Sequence, residues 1–423
     1  MRTVEAPSLG ERYYEEVLEN GLTIRVIPRI GFAKKYAFFA TDYGSIDTKF
    51  TLDGREIRTP DGVAHYLEHK MFDLPEGDAM AMFAAKGDSP NAFTSNDMTA
   101  YYFSCTDNFE DNFKILLEMI SVPCFTEASV EKERGIIGQE IRMYEDNADS
   151  CLYENLFSTM FSNHPIRVPI AGTVESIAEI TADTLHDCFR TFYAPSNMML
   201  CVVGDVDPEW IVQETAARLP KEKAPRPVRD YGSAAQGESH EIRQTMEVSM
   251  PMFAVGFRCD MPEDGWESIK REIAGDIACE LLTGESSMLY QRLYDENLID
   301  ADFASGFECV KGAGLITFSG DSEEPEQVRD AILEETRRML RDGLVEEDFL
   351  RLKKSMVGRR IRDLDSFESI CYRVCANFFD GIDYYDFQKA YAEVTCEDVR
   401  KFMEETICEE RMVLSVIEPK ECE

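Results

Sequence analysis

The stretch DGVAHYLEHKMF, residues 61–72, holds two histidines and a glutamate at a spacing that suits a helix. His65, Glu68 and His69 stand at positions i, i+3 and i+4, so in a helix their side chains project from one face. Two imidazoles and a carboxylate on one helix face can hold a metal ion and keep an acid–base group beside it. The stretch therefore predicts a helix that carries a metal site.

Zinc is the metal that this pattern favours. A catalytic zinc accepts neutral imidazole ligands and keeps one position for a water, whose pKa it lowers towards neutrality. The order H-x-x-E-H is the inverted zincin pattern, in which the glutamate takes the proton of that water. A chain with five histidines and 81 acidic residues produces the pattern by chance about one time in a hundred, so its surroundings decide the matter.

A second constellation lies in EASVEKERGIIGQEIRMYED, residues 127–146, which predicts a long helix. Glu133 and Glu140 are two helical turns apart and flank Ile136 and Ile137, so this face is expected to be partly buried. A half-buried carboxylate needs a partner, and two histidines leave a zinc short of a third protein ligand. Glu140 is a candidate for that ligand; the alternative is a glutamate merely solvated on an acidic helix.

The composition excludes several classes of partner. The formal charge of −37, from 44 basic and 81 acidic residues, argues against nucleic acid and anionic membranes, which both require a basic surface. The 13 cysteines form no C-x-x-C pair, the first residues lack a signal-peptide pattern, and no apolar run is long enough to span a membrane. We expect a reduced, soluble, cytoplasmic protein.

Local patterns predict the elements around the histidine motif. Asn20-Gly21 predicts a tight turn between two strands, and NAFTSNDMTAYYFSC, residues 91–105, alternates like two strands joined by a turn. Residues 107–123 predict an amphipathic helix that ends at Pro123.

Five motifs together resemble one family. DGVAHYLEH, NAFTSNDMTAYYF, ERGIIGQEI, HPIRVPIAGTVESI and FYAPSNMMLCVVGD follow the order and rough spacing of the insulinase-like (pitrilysin, M16) zinc metallopeptidases, over most of residues 15 to 210. The resemblance implies that His65, His69 and Glu140 bind one Zn²⁺ per chain and that Glu68 is the catalytic general base.

The resemblance also implies roles for three further residues of this half. Glu133 matches a second glutamate of the family helix. In the family, that glutamate supports the catalytic site without binding the metal itself. Asn91 and Ala92 lie where the family's edge strand receives an extended peptide by strand addition.

The second half of the chain looks like a copy of the first. ERGIIGQEI aligns with LKKSMVGRRI, which places Glu140 opposite Arg360 and Glu133 opposite Lys353 at an offset of 220, and two later segments align at an offset of 214. The helix expected to match the histidine motif reads IACELLTG and has no histidine. The prediction is a zinc-bearing domain at 1–218, a linker at 219–240 and a homologous domain without zinc ligands at 241–423.

Strands and helices that alternate with hairpin-like connections favour an α+β class: two homologous domains, each an antiparallel sheet with helices packed on one face. The resemblance implies the same insulinase/mitochondrial processing peptidase-like fold. Half-sized members of the family pair two subunits, so a homodimer or a heterodimer with a second insulinase-like chain is expected. EHKMF and LYQRLYDENLID most resemble a bacterial branch named for association with elongation factor P modification.

One segment departs from the family pattern. Active members carry an arginine and, seven residues later, a tyrosine in the zinc-free domain, which bind the peptide carbonyl. Tyr294 and Ala301 occupy these positions in this chain, and Arg292 lies two residues away. Either Arg292 substitutes, or a partner chain supplies the pair, or catalysis is weak.

Three hypotheses about function follow. The first is a zinc-dependent metalloendopeptidase that cleaves short or unfolded peptides through a metal-activated water with a glutamate base. The second is a weakly active or non-catalytic peptide-binding subunit of a heteromeric complex. The third is a structural accessory with a relic zinc site. The joint presence of the base and three candidate ligands favours the first.

Overall fold

The computed structural model describes residues 1–420. In the first half of the chain the elements are, in order, β1 (Arg2–Ala6), β2 (Glu11–Val17), β3 (Thr23–Pro28), β4 (Lys35–Thr41), β5 (Lys49–Leu52), β6 (Arg55–Arg58), α1 (Val63–Lys70), β7 (Asp73–Leu74), β8 (Gly77–Asp78), α2 (Ala79–Ala84), β9 (Pro90–Thr94), β10 (Thr99–Cys105), α3 (Phe109–Ser121), α4 (Glu127–Glu145), α5 (Ala148–Met160), α6 (Val174–Ala178), α7 (Ala182–Phe192), β11 (Met198–Gly204) and α8 (Pro208–Arg218).

In the second half they are β12 (Val228–Arg229), β13 (Glu241–Met246), β14 (Met252–Asp260), α9 (Gly265–Thr283), α10 (Met288–Asp295), β15 (Ala304–Val310), β16 (Ala313–Asp321), α11 (Pro325–Asp342), α12 (Glu346–Asp363), α13 (Phe367–Phe379), α14 (Phe387–Glu393), α15 (Cys396–Thr406) and β17 (Met412–Pro419).

The larger sheet within residues 1–420 has seven strands in the order β1-β2-β3-β11-β4-β10-β9. The predicted hairpin is present: β2 pairs with β3, and Gly21 occupies the turn with φ 92°, a conformation that favours glycine. Helix α3 buries the predicted apolar stripe, of which Phe113, Leu116 and Leu117 have no exposed surface. Strands β3 and β11 are parallel, whereas the other neighbours are antiparallel.

The second large sheet within residues 1–420 has five strands in the order β13-β17-β14-β16-β15. This order repeats β3-β11-β4-β10-β9 of the first sheet, including its one parallel pair, β13 with β17. Helices α7 and α15 begin at Ala182 and Cys396, which preserves the offset of 214. The predicted α+β class with two homologous domains is confirmed, and each sheet has one parallel pair besides its antiparallel ones.

The described residues form two compact units that are not continuous in the sequence. The first comprises Met1–Ile141, Pro169–Tyr231 and Ile361–Tyr385; the second comprises Arg142–Val168, Gly232–Arg360 and the chain from Asp386 onward. The halves exchange a helix, since α13 packs on β4 and β11 of the first unit and α5 packs on β14 and β17 of the second. The division at 219–240 describes the order of the chain and stays a prediction.

The segment predicted to be a linker is partly held by buried charge. Strand β12 pairs with β5, and the Arg229 guanidinium forms ion pairs with Asp42 at 3.0 Å and with the buried Asp47 at 2.8 Å. A buried carboxylate needs such a partner. Composition rich in proline and charge therefore does not mean that this segment is free of tertiary contacts.

None of the helices within residues 1–420 is long and apolar enough to cross a membrane.

Candidate metal centre

Helix α1 carries the histidine motif into the core of the first unit. It begins after Gly62, whose φ is 87° and where an added Cβ would lie 2.3 Å from the carbonyl oxygen of Ala171. Only glycine suits both demands. Tyr66 and Leu67 are fully buried, and the Tyr66 hydroxyl donates to the carbonyl of Val130 on α4. These contacts fix α1 against α4.

Helix α4 brings the carboxylate of Glu140 to both histidines. Its Oε1 lies 3.6 Å from Nε2 of His65 and its Oε2 lies 3.5 Å from Nε2 of His69. One ligand atom from each residue lies within 4.8 Å of the others. Ile137 of the same helix is buried, whereas Ile136, expected to be partly buried, is 47% exposed. The structure therefore brings Glu140 to His65 and His69, which lie on another helix far from it in sequence.

The spacing of these atoms suits a bound zinc ion. Two ligands that each lie about 2.1 Å from a tetrahedral zinc are separated by about 3.4 Å, close to the separations within this cluster. These separations also exceed those of good N–H···O hydrogen bonds. Two imidazole nitrogens and a carboxylate oxygen form a donor set typical of catalytic zinc. The residues fit the ion that the resemblance implies.

Burial and a neighbouring histidine keep His65 in the neutral form that a metal requires. Burial, followed by the nearby His69, lowers the pKa of His65 to about 4 and keeps its imidazole neutral. The Nδ1 of His65 is buried and has no hydrogen-bond partner among residues 1–420. The tautomer of this ring is therefore not set by a protein hydrogen bond.

Glu133 holds the second histidine. Its Oε1 lies 3.0 Å from Nδ1 of His69, and this bond lowers the pKa of the carboxyl. Burial opposes protonation of His69, but the bond to Glu133 and the charges of Glu68 and Glu140 raise its pKa overall. A proton on Nδ1 that is donated to Glu133 leaves the Nε2 lone pair directed at Glu140. The geometry therefore suits a ligand-orienting role for Glu133.

Glu68 lies beside the cluster and is not one of its three grouped residues. Its side chain is buried, and burial raises its pKa above the usual value for a glutamate. The hydroxyl of Thr94, at the end of β9, donates to Oε2 at 2.6 Å. The carboxylate is thus placed near the histidines while one of its oxygens is held by β9.

Asn91 and Ala92 lie on β9, the edge of the seven-stranded sheet in the described chain. Ala92 packs against the core below α1, and its backbone N–H donates to the side-chain oxygen of Asn91 at 2.9 Å. An edge strand offers backbone groups to an extended peptide. Their role in binding peptide stays a prediction.

Arg292 belongs to the second unit and lies exposed on α10. Tyr294, in the position of the family arginine, is 50% exposed and stacks on Tyr290 with ring centroids 6.1 Å apart. His65, His69 and Glu140, by contrast, belong to the first unit. The role of Arg292 therefore stays a prediction.

Sequence reasoning missed Thr94. The residue lies within NAFTSNDMTAYYF, one of the five motifs, but the resemblance implied roles only for Asn91 and Ala92 of that segment. Alternation along β9 carries the signal, because Ala92 and Thr94 share the face that meets α1. The contact with Glu68 required knowledge of which helix covers that face.

Comparisons with known proteins agree with this geometry. The model of the insulinase family (peptidase family M16) matches residues 55–174, and the model of the peptidase M16 inactive domain matches residues 179–356. The chain is 38% identical to the uncharacterized zinc protease YmfH of Bacillus subtilis (strain 168), over 99% of this chain and 100% of that protein.

Solved structures lead to the same family. A crystal structure of an M16-like peptidase from Alicyclobacillus acidocaldarius is 34% identical with a TM-score of 0.92, and covers 96% of this chain and 98% of that chain. Pitrilysin, at 16% identity and a TM-score of 0.78, shares the fold, with 97% of this chain matched to 45% of its own. The chain therefore belongs to the insulinase family of peptidases, peptidase family M16, in its half-sized, two-domain form.

Proposed function

We propose that this chain is a zinc-dependent metalloendopeptidase that cleaves short or unfolded peptides. His65, His69 and Glu140 hold one Zn²⁺, and Glu68 is the general base. The observation that carries the proposal is the convergence of two Nε2 atoms and one carboxylate within 4.8 Å, with a second, separately held carboxylate beside them.

The protein groups have distinct tasks in this proposal. Zn²⁺ in such a site supplies Lewis acidity and lowers the pKa of water. Glu68 takes a proton from the attacking water and later returns it to the leaving amine, and its raised pKa suits a group that must both accept and donate near neutral pH. Glu133 keeps His69 in the tautomer that presents Nε2.

The substrate is a peptide in an extended conformation. The free edge of β9, with Asn91 and Ala92, would pair with its backbone, which requires a segment without stable secondary structure. Arg292 would contact the peptide in place of the family arginine. The net charge of −37 favours substrates with basic residues.

The proposal includes a cytoplasmic location and a dimer with a like or unlike insulinase-like chain. A second candidate function is a weakly active or non-catalytic peptide-binding subunit. It is favoured by Tyr294 and Ala301 in the positions of the family arginine and tyrosine. A partner chain would then supply the missing groups.

The test joins zinc analysis with peptide digestion. The wild-type chain is expected to contain about one tightly held zinc and to cleave unfolded peptides until a chelator is added. Glu68→Gln should retain zinc and lose about 10²-fold or more of kcat, because it removes the base and keeps the ligands. Glu131→Gln, on an exposed part of α4, is the matched control.

The results separate the two candidate functions. Full peptidase activity in zinc-loaded Glu68→Gln would exclude any mechanism in which Glu68 is the general base. Zinc and peptide binding without cleavage, with activity restored when a second insulinase-like chain is added, would support the subunit role.

A further inference from the structure

Thr94 joins the edge strand to the carboxylate of Glu68. Its Oγ1 donates to Glu68 Oε2 at 2.6 Å, the length of a strong bond from a hydroxyl to a charged acceptor. Within residues 1–420, no other side chain hydrogen-bonds this carboxylate. A glutamate has three rotatable side-chain bonds, so one fixed oxygen restricts the whole group.

The bond divides the work between the two carboxylate oxygens. Oε2 is held by Thr94, so Oε1 is the oxygen open to accept a proton. Thr94 is itself held, because it ends β9 and pairs with Thr99 of β10. Thr99 is fixed in turn by a bond from its own hydroxyl to the carbonyl of Tyr43 at 2.9 Å. The position of the Glu68 carboxylate is therefore fixed by the sheet as well as by α1.

The second unit provides an internal comparison. Strand register defines equivalent positions, because the four residues in line across each sheet are neighbours in the same order: Met198, Thr41, Thr99 and Thr94 in the first unit, and Met412, Phe257, Ile316 and Phe307 in the second. Phe307 thus takes the place of Thr94.

The residue that faces Phe307 also changes. A Cβ added to Gly275 would lie 2.7 Å from the ring of Phe307, so the ring occupies the space where a side chain on α9 would begin. Glu272, Gly275 and Asp276 are spaced like His65, Glu68 and His69, so the segment that corresponds to the histidine motif lies just before IACELLTG, the segment expected from the sequence. Where the carboxylate at this position is lost, the hydroxyl opposite it is lost as well.

We propose that Thr94 is the positioning residue of the general base: its hydroxyl holds one oxygen of Glu68 and directs the other towards the water. The inference rests on the proposed peptidase function, and it assigns Thr94 no contact with metal or substrate. The hydroxyl is the required group, so serine can replace threonine and valine cannot.

The experiment compares three variants of the full chain. Thr94→Val removes the hydroxyl and keeps the shape, Thr94→Ser keeps the hydroxyl, and Ser95→Ala removes a neighbouring hydroxyl whose partners, Asp97 and Met98, lie in the turn. For each, kcat and KM on an unfolded peptide, the zinc content and the Tm are measured. A crystal structure of each variant reports the conformation of Glu68 without reference to activity.

Thr94→Val should lower kcat about tenfold or more, because the variant lacks a hydrogen bond to the charged group that acts as the base. KM and zinc content should change little, because this bond contacts neither the substrate nor the metal. Thr94→Ser should restore most of kcat, and Ser95→Ala should match the wild type. Glu68 should occupy one conformer in the wild type and in Thr94→Ser, and several in Thr94→Val.

Two results would overturn the assignment: a single, unchanged Glu68 conformer in Thr94→Val, or an unchanged kcat in that variant. If the wild type cleaves no peptide, the proposed function fails. The conformers of Glu68 then decide the positioning role alone.

Discussion

The equivalent helix pairs of the two units carry different chemical groups. In the first unit, the imidazoles of α1 face the carboxylate of Glu140 on α4 at 3.5 and 3.6 Å. In the second, the carboxylates of Glu272 and Asp276 on α9 face the guanidinium of Arg360 on α12, with Glu272 at 3.5 Å. One framework thus holds either a cluster of two histidines and a glutamate or an ion pair.

Burial acts in the same direction on both sets of groups. In the first unit, burial and His69 lower the pKa of His65 to about 4, which leaves a neutral ring able to bind a cation. In the second, burial and the adjacent Glu272 raise the pKa of Asp276 to about 7, although Arg360 opposes the shift. Burial thus favours the neutral form in both units, and in the second unit the fixed positive charge of Arg360 opposes that effect.

The largest effect is expected when the first unit is given the charge of the second. Glu140→Arg should abolish both zinc binding and peptidase activity, because a guanidinium cannot bind a metal and repels one. Zinc per chain measured by elemental analysis and peptide cleavage are the readouts. Glu145→Arg, at the exposed end of the same helix, is the control. Stoichiometric zinc in Glu140→Arg would rule out Glu140 as a ligand.

A smaller loss of zinc affinity is expected when Glu133, the hydrogen-bond partner of His69, is changed. Glu133→Ala should weaken zinc affinity by about 10- to 100-fold, because His69 loses the partner that orients its Nδ1–H. Glu133→Gln should lose less, since an amide oxygen can still accept that bond. Competition titration with a chelator measures both. Equal affinity in all three proteins would show that Glu133 does not orient the ring.

In the second unit, a substitution of Arg360, the residue equivalent to Glu140, should change the free energy of unfolding and leave zinc binding unchanged. Arg360→Ala removes a cation that faces the carboxylates of Glu272 and Asp276, and should cost about 2 kcal/mol of the unfolding free energy at pH 8. The loss should shrink at pH 5, because carboxyl groups that have lost the charge of Arg360 take up protons more readily. Urea unfolding at both pH values measures it, and Arg360→Met controls for the packing of the aliphatic stem. A loss independent of pH would point to packing alone.

The smallest effect is expected from the titration of Asp276, which makes the free energy of unfolding depend on pH. The pKa of Asp276 is about 7 in the fold and near its ordinary value of 3.8 when unfolded, so the folded state binds more protons between these values. Its contribution to stability is therefore complete below about pH 4 and is lost as the pH rises through 7. Asp276→Asn should stabilise the protein by on the order of 1 kcal/mol at pH 8 and little at pH 4, as measured by urea unfolding. The same gain at both pH values would exclude this titration.

Much of the fold was predictable from local patterns. The hairpin at Gly21, the stripe of α3 and the extent of α4 follow from turn residues and helical periodicity, and the repeated offset of 214 indicated two similar domains. The exchange of α5 and α13 was not predictable, because nothing within either helix specifies which sheet it covers. The ion pairs of Arg229 within the expected linker could not be predicted either, because Asp42 and Asp47 are far from Arg229 in the sequence.

The sequence by itself determined that His65, Glu68 and His69 share a helix face, because a period of 3.6 residues leaves no other arrangement once the helix forms. Only the tertiary structure decided which distant groups meet that face. Glu140 and Thr94 reach it because the core packs α4 and the edge strand against α1. Such contacts depend on the burial of many apolar residues together, which no spacing within a single element encodes.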